Sequence, residues 1–270
     1  YMACMSKPYR SSTLDDEFNA AFEELKKSGV AIYFKDINND YVWNMNSTKI
    51  YYSASTSKLF EVIYLVEEAR KGNIDLNSTL VYKPSDAMQG SIGMKKHKYY
   101  DEVTLLELID HLLTFSDNTA HFMLIKYIGL DTLKEYFSDF NLVMVSEDPF
   151  VRNYTALMAS KCLERSYSVL EVDDDYSTLI KKAMNNKNMN YLSFDDKIIY
   201  HKYGMYDVSF HDIGIYDSDN PYIIVVLTLY GNLGQDVFGP KVQNISRKVY
   251  EIYSKNLELK EEYCQSNVSK

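Results

Sequence analysis

The sequence predicts an α/β (α+β) fold, in which helices flank one antiparallel five-stranded sheet and an all-helical subdomain is inserted between its second and third strands. Two strand patterns lie near the start of the chain, a long stretch of helical periodicity follows, and three strand patterns precede a last helix. The 270 residues, 46% of them hydrophobic, are enough to bury a substantial core.

The first elements are a helix and a hairpin. Residues 14–27 place apolar side chains on one helical stripe, and Gly29 ends the helix. Residues 30–34 and 41–43 have extended character, and the polar turn at 38–40 separates them. The sheet therefore begins with a hairpin.

The central stretch is predominantly helical. Apolar residues cover most of the surface of a helix over residues 55–70, which predicts that this helix is buried. Further helical patterns lie at residues 105–113, 120–128, 130–137, 156–163 and 176–184. The region from about residue 76 to 182 shows few convincing strands, so we interpret it as all-helical.

Strand character returns at residues 197–203, 208–216 and 222–229, which we predict to be antiparallel neighbours. A helical pattern follows, and the charged tail after Leu257 is expected to be frayed. We predict one domain over residues 1–260, followed by the tail at 259–270. An α/β subdomain (about 14–50 and 190–258) and a helical subdomain (about 51–189) make up this domain.

Composition excludes several classes of function. The formal net charge of -9 disfavours binding to nucleic acid, and no apolar run approaches the roughly 20 residues of a membrane-spanning helix. The chain opens without a charged and then apolar leader, so it shows no signal peptide. Three distant cysteines indicate neither a disulfide framework nor a zinc site, and the histidines, including His97 and His111, show no ligand spacing.

The first candidate for chemistry is a Ser-x-x-Lys motif formed by Ser55 and Lys58. Residues at i and i+3 share a helix face, and a helix N-terminus stabilises negative charge. A desolvated lysine can activate a serine hydroxyl group by taking its proton. The structural alternative is that Ser55 caps the helix while Lys58 stays solvated.

Two other motifs are weak when taken alone. Ser116 and Asn118 belong to Ser-Asp-Asn at residues 116–118, which also suits a helix cap. Lys202, with Tyr203 and Gly204, ends a predicted strand, where an edge lysine and a turn glycine are ordinary.

Together, and in this order, the three motifs resemble the signature motifs of class A β-lactamases and penicillin-binding proteins. The resemblance implies that Ser55 is the acylated nucleophile and Lys58 its proton acceptor or relay. It implies that Ser116 passes a proton to the leaving nitrogen, that Asn118 binds the amide side chain of the substrate, and that Lys202 keeps the site electropositive.

The resemblance also implies an oxyanion hole formed by the backbone N–H groups of Ser55 and Met205, and substrate contacts at Tyr203 and Gly204. Neither a metal nor an organic cofactor is needed. Tyr203 stands where the family has Ser or Thr, so its ring either points away from the cleft or narrows it. The Glu-x-x-x-Asn pair that positions the deacylating water is missing, and Glu147 is the nearest candidate.

The leading hypothesis is therefore a class A-like β-lactamase that hydrolyses the β-lactam amide through an acyl-enzyme. One alternative is a D-alanyl peptidase or esterase of the penicillin-binding type that deacylates slowly, and another is a non-catalytic binding or sensor domain. We expect small-molecule partners, β-lactams or D-alanyl peptides, and a monomer. The resemblance implies an extracytoplasmic or secreted protein.

Overall fold

The computed structural model describes residues 1–144 and 148–268, and over these residues five strands form one antiparallel sheet. The order across the sheet is β2-β1-β10-β9-β8. These strands are β1 (Ala31–Asp36), β2 (Tyr41–Met45), β8 (Ile199–Tyr206), β9 (Ser209–Tyr216) and β10 (Tyr222–Thr228). The predicted fold class is thus confirmed, and the chain between β2 and β8 forms the insertion.

The sheet is buried on both faces and separates two hydrophobic cores. Strand β10 is buried at every position, because its neighbours β1 and β9 place it in the interior of the sheet. Alternation along the strand sends Val225 and Leu227 to one core and Ile224 and Val226 to the other. The continuous apolar run in this segment reflects burial from both sides.

Helices cover both faces of the sheet. They are α1 (Met2–Met5), α2 (Leu14–Lys27), α3 (Lys58–Arg70), α4 (Leu105–Phe115), α5 (Asn118–Ile128), α6 (Leu130–Ser138), α7 (Ala156–Leu170), α8 (Asp175–Met184) and α9 (Gln235–Val268). Helices α2 and α9 contribute Phe18, Phe22 and Phe238 to one core, while α3 and α7 pack into the other. No helix in the described ranges is long and apolar enough to cross a membrane.

The central region also holds short strands that its periodicity did not reveal. These are β3 (Tyr51–Tyr52), β4 (Thr79–Val81), β5 (Glu102–Thr104), β6 (Val143–Met144) and β7 (Arg152–Tyr154). Each has two or three residues, which is too few for a period of two to show in sequence. Strand β3 pairs with β7, and this pairing anchors the chain just before Ser55.

The two ends of the chain correct the expectation about cysteines. Cys4 and Cys264 form a disulfide across a sequence separation of 260 residues. The predicted frayed tail is instead the last part of α9, in which Cys264 is buried. Sequence spacing could not show this, because the fold alone brings α1 beside the end of α9. The boundaries of the two subdomains stay a prediction.

Candidate active site

Ser55 lies in a 3₁₀ turn, Ala54–Ser57, that leads directly into α3 at Lys58. The turn is held by a hydrogen bond from the Ser53 amide to the Arg152 carbonyl, 2.9 Å, across the β3–β7 pairing. Ala54 has a φ of 48°, in the left-handed region that residues other than glycine rarely adopt. The strained backbone therefore lies immediately before the candidate nucleophile, and the surrounding contacts maintain it.

The second motif joins α4 to α5 through a left-handed residue, Ser116, with a φ of 55°. The Asp117 carboxylate caps α5 by accepting from the Ala120 amide at 2.9 Å, and it also accepts from the Met94 amide at 2.9 Å. The helix-cap interpretation of the Ser-Asp-Asn motif is therefore confirmed for its middle residue, Asp117. Its capping role fixes the flanking Ser116 and Asn118 in place.

The side chains of all three motifs meet at Ser116. Lys58 Nζ donates to the Ser116 carbonyl and to Asn118 Oδ1, both at 2.7 Å, and lies 3.3 Å from Ser116 Oγ. Lys202 Nζ donates to the same Oγ atom at 3.0 Å. Two amines, one from α3 and one from the sheet, thus contact a single hydroxyl group.

Gly204 allows the sheet to reach the start of α3. A Cβ atom added at Gly204 would lie 2.7 Å from the backbone nitrogen atoms of Ser55 and of Thr56. Real Cβ atoms do not approach backbone that closely, so only glycine permits this contact between β8 and the 3₁₀ turn. The amide of Ser55 therefore lies against β8 at Gly204, which is the residue before Met205.

Burial changes the proton affinity of both lysines. Desolvation lowers the pKa of Lys58 to about 7, although the charges of Asp117 and Glu61 oppose the change. Desolvation, followed by the charge of Lys58, lowers the pKa of Lys202 well below its usual value, and Asp212 opposes this. The environment thus disfavours the charged form of Lys202, which the resemblance expected to keep the site electropositive.

A cleft of about 570 Å³ opens beside these groups. Its lining includes Ser55, Lys58, Asn118 and Met205, each from a predicted motif or its neighbour. Among the residues that the structure describes, Ser116, Lys202, Tyr203 and Gly204 lie outside this lining. Access to Lys202 from the cleft is therefore restricted, in agreement with its complete burial.

Tyr203 lies next to the buried Lys202. Lys202 Nζ lies 4.5 Å from the centroid of the Tyr203 ring, and Asn188 Nδ2 donates to the phenol oxygen at 3.4 Å. Burial raises the pKa of Tyr203, and contacts of its hydroxyl group with Asn188 and Ser116 oppose the rise. The ring thus lies beside Lys202 but is not part of the cleft lining.

A buried charged network next to Lys58 was not expected from the sequence. Glu61 and Arg152 are both fully buried and form an ion pair, and His121 Nε2 lies 3.1 Å from Glu61 Oε1. Burial raises the pKa of Glu61, but the charges of Arg152 and His121 outweigh burial and hold it at about 2. The one available signal was the position of Glu61, an acid that lies among the apolar residues of the first turns of α3.

The deacylation candidate Glu147 lies outside the described residues. Asn153, the nearest asparagine, pairs with Tyr52 in the β3–β7 ladder. Over the described ranges, the acidic residues that line the cleft are Asp148 and Asp207, and no glutamate is among them. His201, adjacent to Lys202, is buried and contacts Asp212 at 2.7 Å, as expected for a structural histidine.

Comparisons with known proteins agree with this geometry. A family model described as β-lactamase enzyme family matches residues 13–253. The structure of TLA-3 extended-spectrum β-lactamase is 18% identical, with a TM-score of 0.75 over 90% of this chain and 98% of that one. PBP-A is 17% identical, with a TM-score of 0.75 over 92% and 98%.

A β-lactamase from Xanthomonas campestris pv. campestris is 14% identical, with a TM-score of 0.75 over 89% of this chain and 98% of that one. At these identities the similarities establish the fold, while the family model covers most of the sequence. The predicted resemblance is thereby confirmed: the chain belongs to the β-lactamase enzyme family.

Proposed function

We propose that this protein is a serine hydrolase that opens the β-lactam amide through an acyl-enzyme at Ser55. The observation that carries the proposal is the meeting of Lys58 and Lys202 at Ser116 Oγ, within 3.3 and 3.0 Å, beside a cleft that Ser55 lines. Such an arrangement can take a proton from one hydroxyl group and deliver it to a leaving nitrogen.

In the proposed acylation, neutral Lys58 accepts the Ser55 proton as Oγ attacks the carbonyl carbon. With a pKa of about 7, a large fraction of Lys58 is neutral at physiological pH. The backbone N–H groups of Ser55 and Met205 stabilise the oxyanion. Ser116 donates its proton to the nitrogen when the carbon–nitrogen bond breaks, and Lys58, which then carries the proton taken from Ser55, reprotonates Ser116.

Substrate binding in this proposal uses Asn118 and Lys202. The Asn118 amide, held by Lys58 and by its own bond to the Gln89 carbonyl at 2.8 Å, lines the cleft and can bind the substrate amide. A substrate carboxylate near Lys202 would favour its charged form. We expect the Tyr203 ring, which lies beside Lys202, to limit how closely the carboxylate approaches.

The second candidate is a penicillin-binding peptidase or esterase that acylates but deacylates slowly. The lining of the cleft favours it, because no described glutamate is present there to activate the deacylating water. A mutant of PBP-A has been solved as an acyl-enzyme complex with penicillin G, so acylation by a β-lactam occurs on a similar fold.

A time course with a chromogenic cephalosporin separates the candidates. Sustained turnover supports the β-lactamase, whereas a stoichiometric burst that stalls supports the slow deacylator. Intact-mass spectrometry should show a covalent adduct on the wild type and none on Ser55→Ala. An unmodified wild type, after several β-lactams at high concentration, would leave the non-catalytic binding domain as the surviving hypothesis.

We further propose that the protein functions outside the cytoplasm. The Cys4–Cys264 disulfide supports this, since such bonds form and persist mainly in oxidising compartments. Cell fractionation of the native host with an antibody tests the location. A protein found in the cytosolic fraction with reduced thiols would contradict the proposal.

A further inference from the structure

A second cluster of chemically active side chains lies behind the second motif, away from the cleft. His97 follows a 3₁₀ turn (Gly93–Lys96), while Glu107 and His111 are one turn apart on α4. The Nε2 atoms of His97 and His111 lie 3.0 Å apart. Glu107 Oε1 lies 3.5 Å from the first and 4.0 Å from the second. Three potential ligand atoms therefore face one another, contrary to the expectation that the histidines lacked ligand geometry.

These distances resemble the edges of a tetrahedral metal site. Zinc binds histidine nitrogen and carboxylate oxygen at about 2.0–2.2 Å, which places ligand atoms in a tetrahedron about 3.3–3.5 Å apart. The three measured separations, 3.0, 3.5 and 4.0 Å, bracket that value. Two imidazoles and one carboxylate are a ligand set that zinc commonly uses.

Burial decreases across the cluster, from His111 through His97 to Glu107. The side chain of His111 is 2% exposed, that of His97 11% and that of Glu107 34%. A cation could thus enter from the Glu107 side and keep water as a fourth ligand. His111 Nδ1 is buried and has no hydrogen-bond partner in the described ranges. The polar contacts of the His111 ring are therefore those that Nε2 makes within the cluster.

One group competes with a cation for this position. Lys96 Nζ forms an ion pair with Glu107 Oε1 at 2.8 Å, and its side chain is 58% exposed. A long exposed lysine can move into solvent at little cost in free energy, because exposed ion pairs contribute about 0–1 kcal/mol. Metal binding would therefore displace Lys96 from Glu107. It would also displace the proton that lies between the two imidazoles.

The cluster contacts the segment that holds the second motif. A Cβ atom added at Gly93 would lie 2.7 Å from the His111 ring, so the 3₁₀ turn packs directly on it. The Asp117 amide donates to the His111 carbonyl at 3.3 Å, and the Asp117 carboxylate accepts from Met94. A metal held here would tie the 3₁₀ turn to the end of α4, directly before Ser116.

We propose that His97, Glu107 and His111 form a Zn²⁺ site, with water as the fourth ligand, that stabilises the segment supporting the second motif. The site is distinct from the Ser55 cleft, and this proposal does not depend on the proposed function.

Isothermal titration with ZnCl₂ tests the site, on tag-free protein that has been stripped with a chelator. The expected result is one Zn²⁺ per chain and a rise in melting temperature with added ZnCl₂. His97→Ala and Glu107→Gln should each weaken binding by about 100-fold or more, because loss of a direct ligand exceeds the 10–100-fold typical of outer partners. Absorption of bound Co²⁺ should report tetrahedral geometry in the wild type only.

Two further variants separate a metal site from a hydrogen-bonded pair of imidazoles. Glu102→Gln removes the same charge from an exposed neighbouring position and should leave Zn²⁺ affinity unchanged. Lys96→Met removes the competing cation and should tighten binding. Absence of stoichiometric Zn²⁺ binding in the wild type would overturn the proposal. Equal affinity in the wild type, His97→Ala and Glu107→Gln would also overturn it.

Discussion

At the scale of single residues, the site depends on lysines that are buried rather than solvated. The sequence left a solvated Lys58 open, but its side chain is 3% exposed and contacts Ser116 and Asn118. Burial is what lowers its pKa to about 7 and makes it a plausible base. Because the distance between Lys58 and Ser116 is set by the fold, spacing in the sequence could suggest this chemistry but not establish it.

The first prediction concerns pH. Protonated Lys58 cannot accept the Ser55 proton, so the rate of acylation should rise with pH through about 7 and level off above it. Stopped-flow acylation by penicillin between pH 5 and 9 measures this profile, with circular dichroism confirming that the fold is intact throughout. A rate that is flat across the range would show that Lys58 is not the titrating base.

The second prediction concerns Tyr203. Replacing Tyr203 by Thr removes the ring that lies against Lys202 and supplies the short hydroxyl group of the family motif. Acylation by β-lactams that carry a carboxylate should become about tenfold faster or more, which corresponds to the roughly 1.5–3 kcal/mol of a hydrogen bond to a charged group. Tyr99→Thr, at an exposed position outside the lining of the cleft, is the control. Unchanged or slower acylation in Tyr203→Thr would contradict the expectation that the ring hinders the approach of the carboxylate to Lys202.

At the scale of elements, the site is formed where β8 and the start of α3 come into contact. Gly204→Ala should reduce acylation by about 100-fold or more, because its Cβ would clash with the Ser55 amide and displace an oxyanion donor. Gly214→Ala on β9 is the matched control: its Cβ meets Ile199 and Tyr200, away from Ser55. The folded fraction of that control should keep its acylation rate. Equal losses in both variants would assign the effect to the sheet in general.

The buried network joins three elements, α3, β7 and, through His121, α5. Glu61→Gln should lower the free energy of unfolding by about 3–5 kcal/mol, because it leaves the Arg152 charge buried without its partner. Urea titration measures the change. Adding Arg152→Met should recover much of the loss, since the unpaired charge is then removed. A double variant as unstable as the sum of the two single variants would show that the ion pair is not the source.

At the scale of the whole molecule, the disulfide links α1 to the end of α9. Cys4→Ser should lower the free energy of unfolding by about 2–4 kcal/mol under oxidising conditions. Denaturant titration with and without reductant tests this, since reduced wild type and reduced Cys4→Ser should be equally stable. A difference that persists in reductant would show that packing around Cys4, rather than the covalent link, is responsible.

The sequence by itself determined the order of the main elements, the five strands of the sheet and the family. Two long segments carry their own evidence, the continuous apolar run at 222–229 and the helical period at 105–113, because burial decides which positions are apolar. The order of the three motifs added the candidate residues Ser55, Lys58, Ser116 and Lys202, because that order can be read directly along the chain.

Only the tertiary structure decided how these residues and others meet. The Cys4–Cys264 bond, the Glu61–Arg152 pair and the orientation of Tyr203 all join residues that are distant in sequence or depend on local packing. The same holds for His97, whose nitrogen reaches His111 only because the Gly93 turn packs on α4. Contacts of this kind follow from how elements pack, and no local pattern of residues encodes them.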